Sequence, residues 1–533
     1  MGLAKVDSGT GDQKLKPKPG LNFVVGMFLD GTGNNQNNTN VYNLAHSSPK
    51  DQPTDRIIAA QKELKDQSDG SSSYENDYSN VARLYEYYDI EGSTATDKKL
   101  KIYIEGVGTR NNGTDSNHLS DHEGGAFGAG ETGIRGKVKT GCKQLAEQIT
   151  KNSGGQVIQN LTVDVFGFSR GSAAARNFVH EITKFEEYIS NMPDDMEISD
   201  REVFKTPKDG KPARGYFGFY LKQKNVQVNT IIIRYVGVFD TVSSYSPGAV
   251  TSPDFDDDTA ELKMDAIRLA RRVVHLTAAD EHRTNFALTN ISSTGVRNVA
   301  PSVSGDTSVI HTAVGNKAIQ LSLPGVHSDV GGCYRDGITE KVLLFKGKPD
   351  EQKKEEEQLI AQAWYTDKQF SIDSKKLWGT RPLSNKYSYI PLHMMCEFAN
   401  RFLPEMFKQA PLETIKYPIP EKVGDSQSLL DYIKKRLYTY AFDDNSKPLV
   451  FDWYADVHAR YKNAGTPQQN ADYHNELADQ ANLRLLRNKY LHWSANLDSM
   501  GMDPNTENGK IARHVYDDVA DKKNTHWYGN YDQ

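Results

Sequence analysis

The stretch Gly167-Phe168-Ser169-Arg170-Gly171 has the pattern G-x-S-x-G. A serine in that setting is a candidate nucleophile, and the flanking sequence is what gives the pattern weight. An apolar run, LTVDVF (161–166), leads directly into it, and a helix-forming run, GSAAARNFVHEI (171–182), leads directly out. A nucleophile there occupies a tight strand-to-helix turn, and the two glycines let strand and helix approach closely. Ser172, Ala173 and Ala174 are small enough for the helix to lie against a sheet. The helix N-terminus, beginning with Arg170, places backbone N–H groups beside a developing oxyanion. Asp30-Gly31-Thr32-Gly33 follows an earlier apolar run, where the second half of an oxyanion hole is usually built, so Gly31 or Thr32 is the candidate second donor. Neither G-x-x-x-x-G-K-[ST] nor G-x-G-x-x-G is present there, which argues against nucleotide chemistry.

A serine hydroxyl needs a base, and the base needs an orienting acid. In α/β-hydrolase chain order the acid precedes the histidine. Asp240 stands just past the C-terminal end of IIIRYVGVF, with Asp280 and Asp329 as rivals. Eleven histidines follow Ser169. His327 lies four residues beyond the run AIQLSL, in PGVHSDVGG, where glycines on both sides suit a turned or mobile loop over Ser169. His275 falls in DAIRLARRVVHLTAADE, which reads as a helix with a packed histidine, and His180 lies on the nucleophile helix, pointing away. Neither H-E-x-x-H nor C-x-x-C occurs, and the acidic run Asp254–Asp258 lacks calcium-loop spacing. Catalysis is expected to need no metal and no cofactor.

These residues require a scaffold that brings strand ends together. Buried-strand runs are predicted at 22–29, 100–107, 161–166, 228–239 and 318–323, with helices from Ser79 to Tyr88, over 132–151 and over 170–189. Alternation of this kind predicts an α/β fold, with an α/β-hydrolase-like, mostly parallel sheet carrying insertions. Residues 1–20 read as a flexible polar tail, 36–77 as a long loop, and 21–345 as the catalytic domain. Residues 346–533 read as a mainly helical accessory region for membrane or partner contact. All five tryptophans fall there, and GYFGFYL (215–221) reads as a candidate lid.

Composition narrows the class. The 533 residues carry 64 Lys plus Arg against 70 Asp plus Glu, a net charge of −6, which argues against a nucleic-acid partner. Three widely spaced cysteines exclude a disulfide framework or a cysteine zinc cage. No apolar stretch approaches a membrane span. The first twenty residues lack the apolar centre of a signal peptide, so the chain is expected to be made in the cytoplasm and to leave by another route.

The segments MFLDGTGNN (27–35), SNVARLY (79–85), YIEGVGT (103–109), GGAFGAG (124–130), VDVFGFSRGSAAARNF (163–178), YVGVFDTV (235–242) and LPGVHSDVGGCY (323–334) form one ordered series. Across about 21–335 the series resembles the type VI secretion lipase effectors of the first, GxSxG-bearing group. The resemblance implies an antibacterial phospholipase, injected into a rival cell to degrade its membrane glycerophospholipids; a soluble carboxylesterase or thioesterase, and a non-catalytic module of the secretion apparatus, are the alternatives. It implies Ser169 as nucleophile, Asp240 as triad acid and His327 as base. It also implies a secretion spike or adaptor as delivery partner, a cognate immunity protein, and action in the target-cell periplasm. YIEGVGT departs from the family, which often has aspartate in place of Glu105; no role is assigned to Glu105.

Overall fold

The structure is a computed structural model that describes residues 5–7, 20–67, 72–115, 130–184, 214–244, 262–295, 317–443, 447–499, 501–507, 510–519 and 523–527. The run GGAFGAG, apart from Gly130, and the acidic run Asp254–Asp258 lie outside them.

The first eight strands are β1 (Lys5–Asp7), β2 (Leu21–Leu29), β3 (Asp97–Ile104), β4 (Ile158–Phe168), β5 (Val228–Phe239), β6 (Arg272–Ala278), β7 (Leu288–Thr289) and β8 (Ala318–Leu323). Six form a sheet in the order β3-β2-β4-β5-β6-β8, and β1 joins the first half of β5. Every pair in it is parallel. Parallel strands are covered on both faces and therefore read as continuous apolar runs.

Alternate residues serve opposite cores. Val25, Met27, Val163, Val165, Val236 and Val238 face one core, where they meet helices α5 (Ile134–Ser153), α6 (Arg170–Thr183) and α7 (Gly215–Gln223). Phe28, Phe166, Phe168, Tyr235 and Phe239 face the other. That second core takes in α4 (Asn80–Tyr87) and most of the apolar residues after 340. It includes Met394, Met395 and Phe398 of the helix Tyr389–Phe402, Leu437 of the helix Leu429–Phe442, and Leu483 and Leu486 of the helix Pro467–Lys489.

Several expectations change. RVVHLTA (272–278) is the strand β6, not part of a helix; it is buried on both faces, so its polar residues mark no solvent side. Residues 36–77 hold helices α1 (Gln36–Ala45), α2 (Thr54–Gln67) and α3 (Ser72–Glu75) rather than one loop. Asn35 starts α1 by accepting from the N–H groups of Asn37 and Asn38. GYFGFYL is no lid: Tyr216, Phe217, Tyr220 and Leu221 are buried against the sheet within α7.

The region after 345 is also more than helices. β9 (Thr339–Lys346), β10 (Phe370–Asp373) and β11 (Lys376–Pro382) form a small sheet, and β12 (Lys422–Val423) pairs with β13 (Ser426–Gln427). A further sheet has β14 (Thr506–Glu507), β15 (Lys510–Tyr516) and β16 (Lys523–Trp527), with β7 pairing parallel to β15. The chain's last described strands therefore attach to a strand that lies between β6 and β8 in sequence. Trp364 and Trp493 are 1% and 6% exposed and pack edge to face, so these two serve the core and not a membrane.

Candidate active site

Ser169 sits where β4 turns into α6, with φ 58° and ψ −130°. A non-glycine residue there costs on the order of 1–3 kcal/mol. Its surroundings hold it there: its N–H donates to the carbonyl of Phe239 at 3.1 Å, and its carbonyl accepts from Val242 and Ser172. The glycines of the motif are needed for close approach. A Cβ on Gly167 would lie 2.6 Å from the Gly171 carbonyl oxygen, and one on Gly171 only 2.1 Å from that of Asp30. Ser169 occupies the N-cap of α6, where a serine ordinarily spends its hydroxyl on the helix; here it makes no side-chain capping bond. The hydroxyl is withheld from a structural role.

Asp240 closes β5 with φ 38° and is fully buried. His327 opens the short helix α8 (His327–Gly331), and its Nδ1 lies 2.6 Å from Asp240 Oδ2. An ionised carboxylate can only accept, so Nδ1 carries the proton and donates, which leaves Nε2 as the basic nitrogen. Burial foremost lowers the His327 pKa, against the opposing pull of Asp240. The imidazole therefore favours its neutral, proton-accepting form. Phe168, the neighbour of Ser169, packs its ring 4.6 Å from that of His327, and Phe286 packs edge-on at 5.1 Å. Among the described residues Ser169 Oγ makes no hydrogen bond; such bonds often tighten only once substrate is present.

The loop that carries His327 is turned and pinned. Gly325 has φ 101°, and its N–H donates to Asp280. The N–H of Val326 donates to Asp329, and that of His327 to Glu281 Oε2 at 3.1 Å. At Gly331 a Cβ would lie 1.9 Å from the Phe168 ring, so the close stacking under His327 requires glycine.

Two rival acids are engaged elsewhere. Asp280 pairs with Arg487 at 3.1 Å, and Asp329 pairs with His492 Nδ1 at 2.7 Å. His275 lies on β6, where its Nε2 accepts from the N–H of Thr241 and so supports the turn after Asp240. His180 stays on α6, where burial pushes its pKa down to about 4.

The expected second oxyanion donor divides. The Gly31 N–H is already given to Asp30 Oδ1 at 2.7 Å, which leaves Thr32 as the candidate from this turn. Arg170 Nε donates to Thr32 Oγ1 at 2.8 Å and ties the N-terminus of α6 to the turn after β2. Asp30 also accepts from Tyr103 at 2.5 Å, and burial pushes its carboxyl up to about 6.

Sequence reading missed the ring of charge around Asp240 and His327. Arg513 of β15 reaches both Asp240 oxygens, at 2.9 and 2.8 Å. Burial alone would raise the Asp240 pKa, but Arg513 and the His327 hydrogen bond hold it well below the carboxylate range. Glu281 accepts from Arg283, from His327 N–H and from Ser494, and Arg283 in turn lies over Phe286. Burial opposes ionisation of Glu281 too, and Arg283 more than offsets it.

The family described as "T6SS, Phospholipase effector Tle1-like, catalytic domain" matches residues 62–397, well over half of the chain. The chain belongs to the Tle1-like phospholipase effectors of the type VI secretion system. Its fold is accordingly α/β-hydrolase-like. Among solved structures it is similar to a Tle1 effector described as bound to the VgrG spike of the type 6 secretion system, at 17% identity and TM-score 0.45, over 96% of this chain and 90% of that one. It is also similar to an uncharacterised protein from Pseudomonas aeruginosa, at 17% identity and TM-score 0.32, over 89% and 64%. No curated protein matches it. In this Tle1-like effector Ser169, Asp240 and His327 all fall inside the matched stretch, whereas Arg487, His492, Ser494 and Arg513 come from beyond it.

Proposed function

We propose that this Tle1-like effector is a phospholipase of the A type, a serine hydrolase in which Ser169 is the nucleophile, His327 the general base and Asp240 the orienting acid. The observation that carries the reading is a strained serine withheld from capping, beside a histidine whose Nδ1 is held by a buried carboxylate at 2.6 Å. His327 Nε2 takes the hydroxyl proton as Oγ attacks an acyl carbonyl. The oxyanion forms at the N-terminus of α6, against backbone N–H groups of Arg170 and of Thr32, with Gly31 engaged by Asp30 unless that contact opens. Collapse expels the lysophospholipid alkoxide, which receives the proton from His327, and water then releases the fatty acid by the same steps.

Family membership supports delivery by a secretion spike or adaptor, an immunity protein in the producing cell, and action on the membrane of the target cell. Residues 346–533 are proposed to help in that contact through surfaces other than Trp364 and Trp493. Among the described residues no helix is long and apolar enough to cross a membrane.

The test is product analysis on vesicles of a glycerophospholipid with two different acyl chains, with Ser169→Ala as control. Free fatty acid plus lysophospholipid is expected. Diacylglycerol or phosphatidic acid would refute A-type cleavage, and turnover of short-chain esters alone would make the enzyme a soluble esterase.

A second expectation concerns metals. Activity on a soluble ester should be unchanged by EDTA, because His327 already supplies the activation that a metal-bound water would provide. Loss restored by added Ca²⁺ would mean that a cation organises the site.

A further inference from the structure

We infer that Arg513 is a positioning residue of the hydrolytic site, so that the strand β15 is a working part of the catalytic centre rather than of an appendage. This inference rests on the triad reading above.

Arg513 is 1% exposed and its guanidinium is spent on the acid. Nη1 donates to Asp240 Oδ1 and to the carbonyl of Ala278, Nη2 donates to Asp240 Oδ2, and Nε donates to the carbonyl of Phe286. The fork therefore fixes the plane of the carboxylate. Oδ2 is then shared by two donors, Nη2 and His327 Nδ1. Oδ1 receives Nη1 and the N–H of Ala278. Rotation of the carboxylate would break all four bonds, so the direction in which it holds the imidazole is set from β15. A lysine supplies a point charge and lacks this fork.

Arg513 is itself anchored from both sides. Val515 and Tyr516 pair with Leu288 and Thr289 of β7. Two residues past β15, Asp518 pairs with Arg176 of the nucleophile helix α6 at 2.6 Å, and both side chains are fully buried. Asp518 also accepts from Ser292 and Ser293. Before the strand, the N–H of Asn505 donates to the carbonyl of His282. Residues 505–507 and 510–518 thus touch the acid, the nucleophile helix and the stretch after β6 at once.

The charge has a second effect. The charged groups that bear on the imidazole are Asp240, Glu281 and Arg283, and those that bear on Asp240 are His327 and Arg513. With Arg513 neutralised, the full charge of Asp240 acts on His327 and stabilises the imidazolium. The acid limb of kcat/KM, which reports deprotonation of His327, should then move to higher pH.

The test uses the full chain with a soluble ester. Arg513→Met is expected to lower kcat by about 10- to 100-fold, as loss of a supporting partner of a site residue does. KM should stay near the wild-type value and the acid limb should rise. Arg513→Lys should restore the limb and only part of kcat. A folded Arg513→Met with wild-type kcat, or with lowered kcat and an unmoved limb, overturns the inference. Should that variant not fold, wild-type kcat in Arg513→Lys overturns it equally. Ser169→Ala run in parallel separates the two readings: if it keeps activity the triad itself is wrong, and if it is inactive while the Arg513 variants match wild type, only the role of Arg513 fails.

Discussion

Ser169→Ala is expected to remove about six orders of magnitude of kcat, and His327→Ala about the same, with the double variant hardly worse than either. A nucleophile and its base act as one unit, so the first loss already abolishes what the second would. The fold should survive, because Ser169 Oγ makes no capping bond and no other hydrogen bond among the described residues. Ser169→Gly should go further and raise the melting temperature, since glycine adopts φ 58° and ψ −130° without strain. The checks are turnover of a soluble ester, labelling by a serine-reactive phosphonate, and thermal melting. Retention of even a hundredth of wild-type turnover by Ser169→Ala would place the chemistry elsewhere.

The second large effect is expected at Asp240, and it is twofold. Asp240→Asn should lower kcat by about 10⁴, because an amide cannot hold the imidazole in the tautomer that keeps Nε2 basic. It should also destabilise the protein by about 3–5 kcal/mol, since Arg513 would be left as an uncompensated buried charge. The two losses must be measured separately, kcat well below the melting transition and stability by denaturant. Linkage gives the same pairing a pH signature. The Asp240 and Glu281 carboxyls are depressed in the folded state, so their stabilisation is present above the unfolded carboxylate range, about pH 4, and is lost as pH falls below it. Near-full activity in Asp240→Asn would require another acid. Asp280 and Asp329, already committed to Arg487 and His492, would have to be released first.

What the sequence made legible followed from burial. β2, β4, β5 and β8 are short apolar runs because both faces of a parallel sheet are covered, and the motif at Ser169 is marked by glycines whose Cβ atoms would collide with backbone. Asp240 and His327 could be chosen because each follows a strand end, where such sheets present their sites. β6 was not legible as a strand. Its Arg272, His275 and Thr277 lie among apolar residues at a spacing that suits an amphipathic helix, and only the neighbours β5 and β8 make it extended. α1 was hidden by poor helix formers, whereas α2 is rich in good ones; Asn35 and Asn38 earn their place through side-chain hydrogen bonds made across the chain. Arg513 lay furthest out of reach. KIARHVY (510–516) carries no motif, and the meaning of its arginine lies in a carboxylate 273 residues earlier.

That separation orders events in time as well as in space. A ribosome adding about 5–20 residues per second needs roughly 14–55 s to pass from Asp240 to Arg513. Throughout that interval the nascent chain already holds Ser169 and Asp240, and later His327, but not the guanidinium that fixes the Asp240 carboxylate. The orientation that the fork imposes on both carboxylate oxygens is therefore absent until the last described strands are made. The proposed triad is thus completed by a residue made long after its own three members.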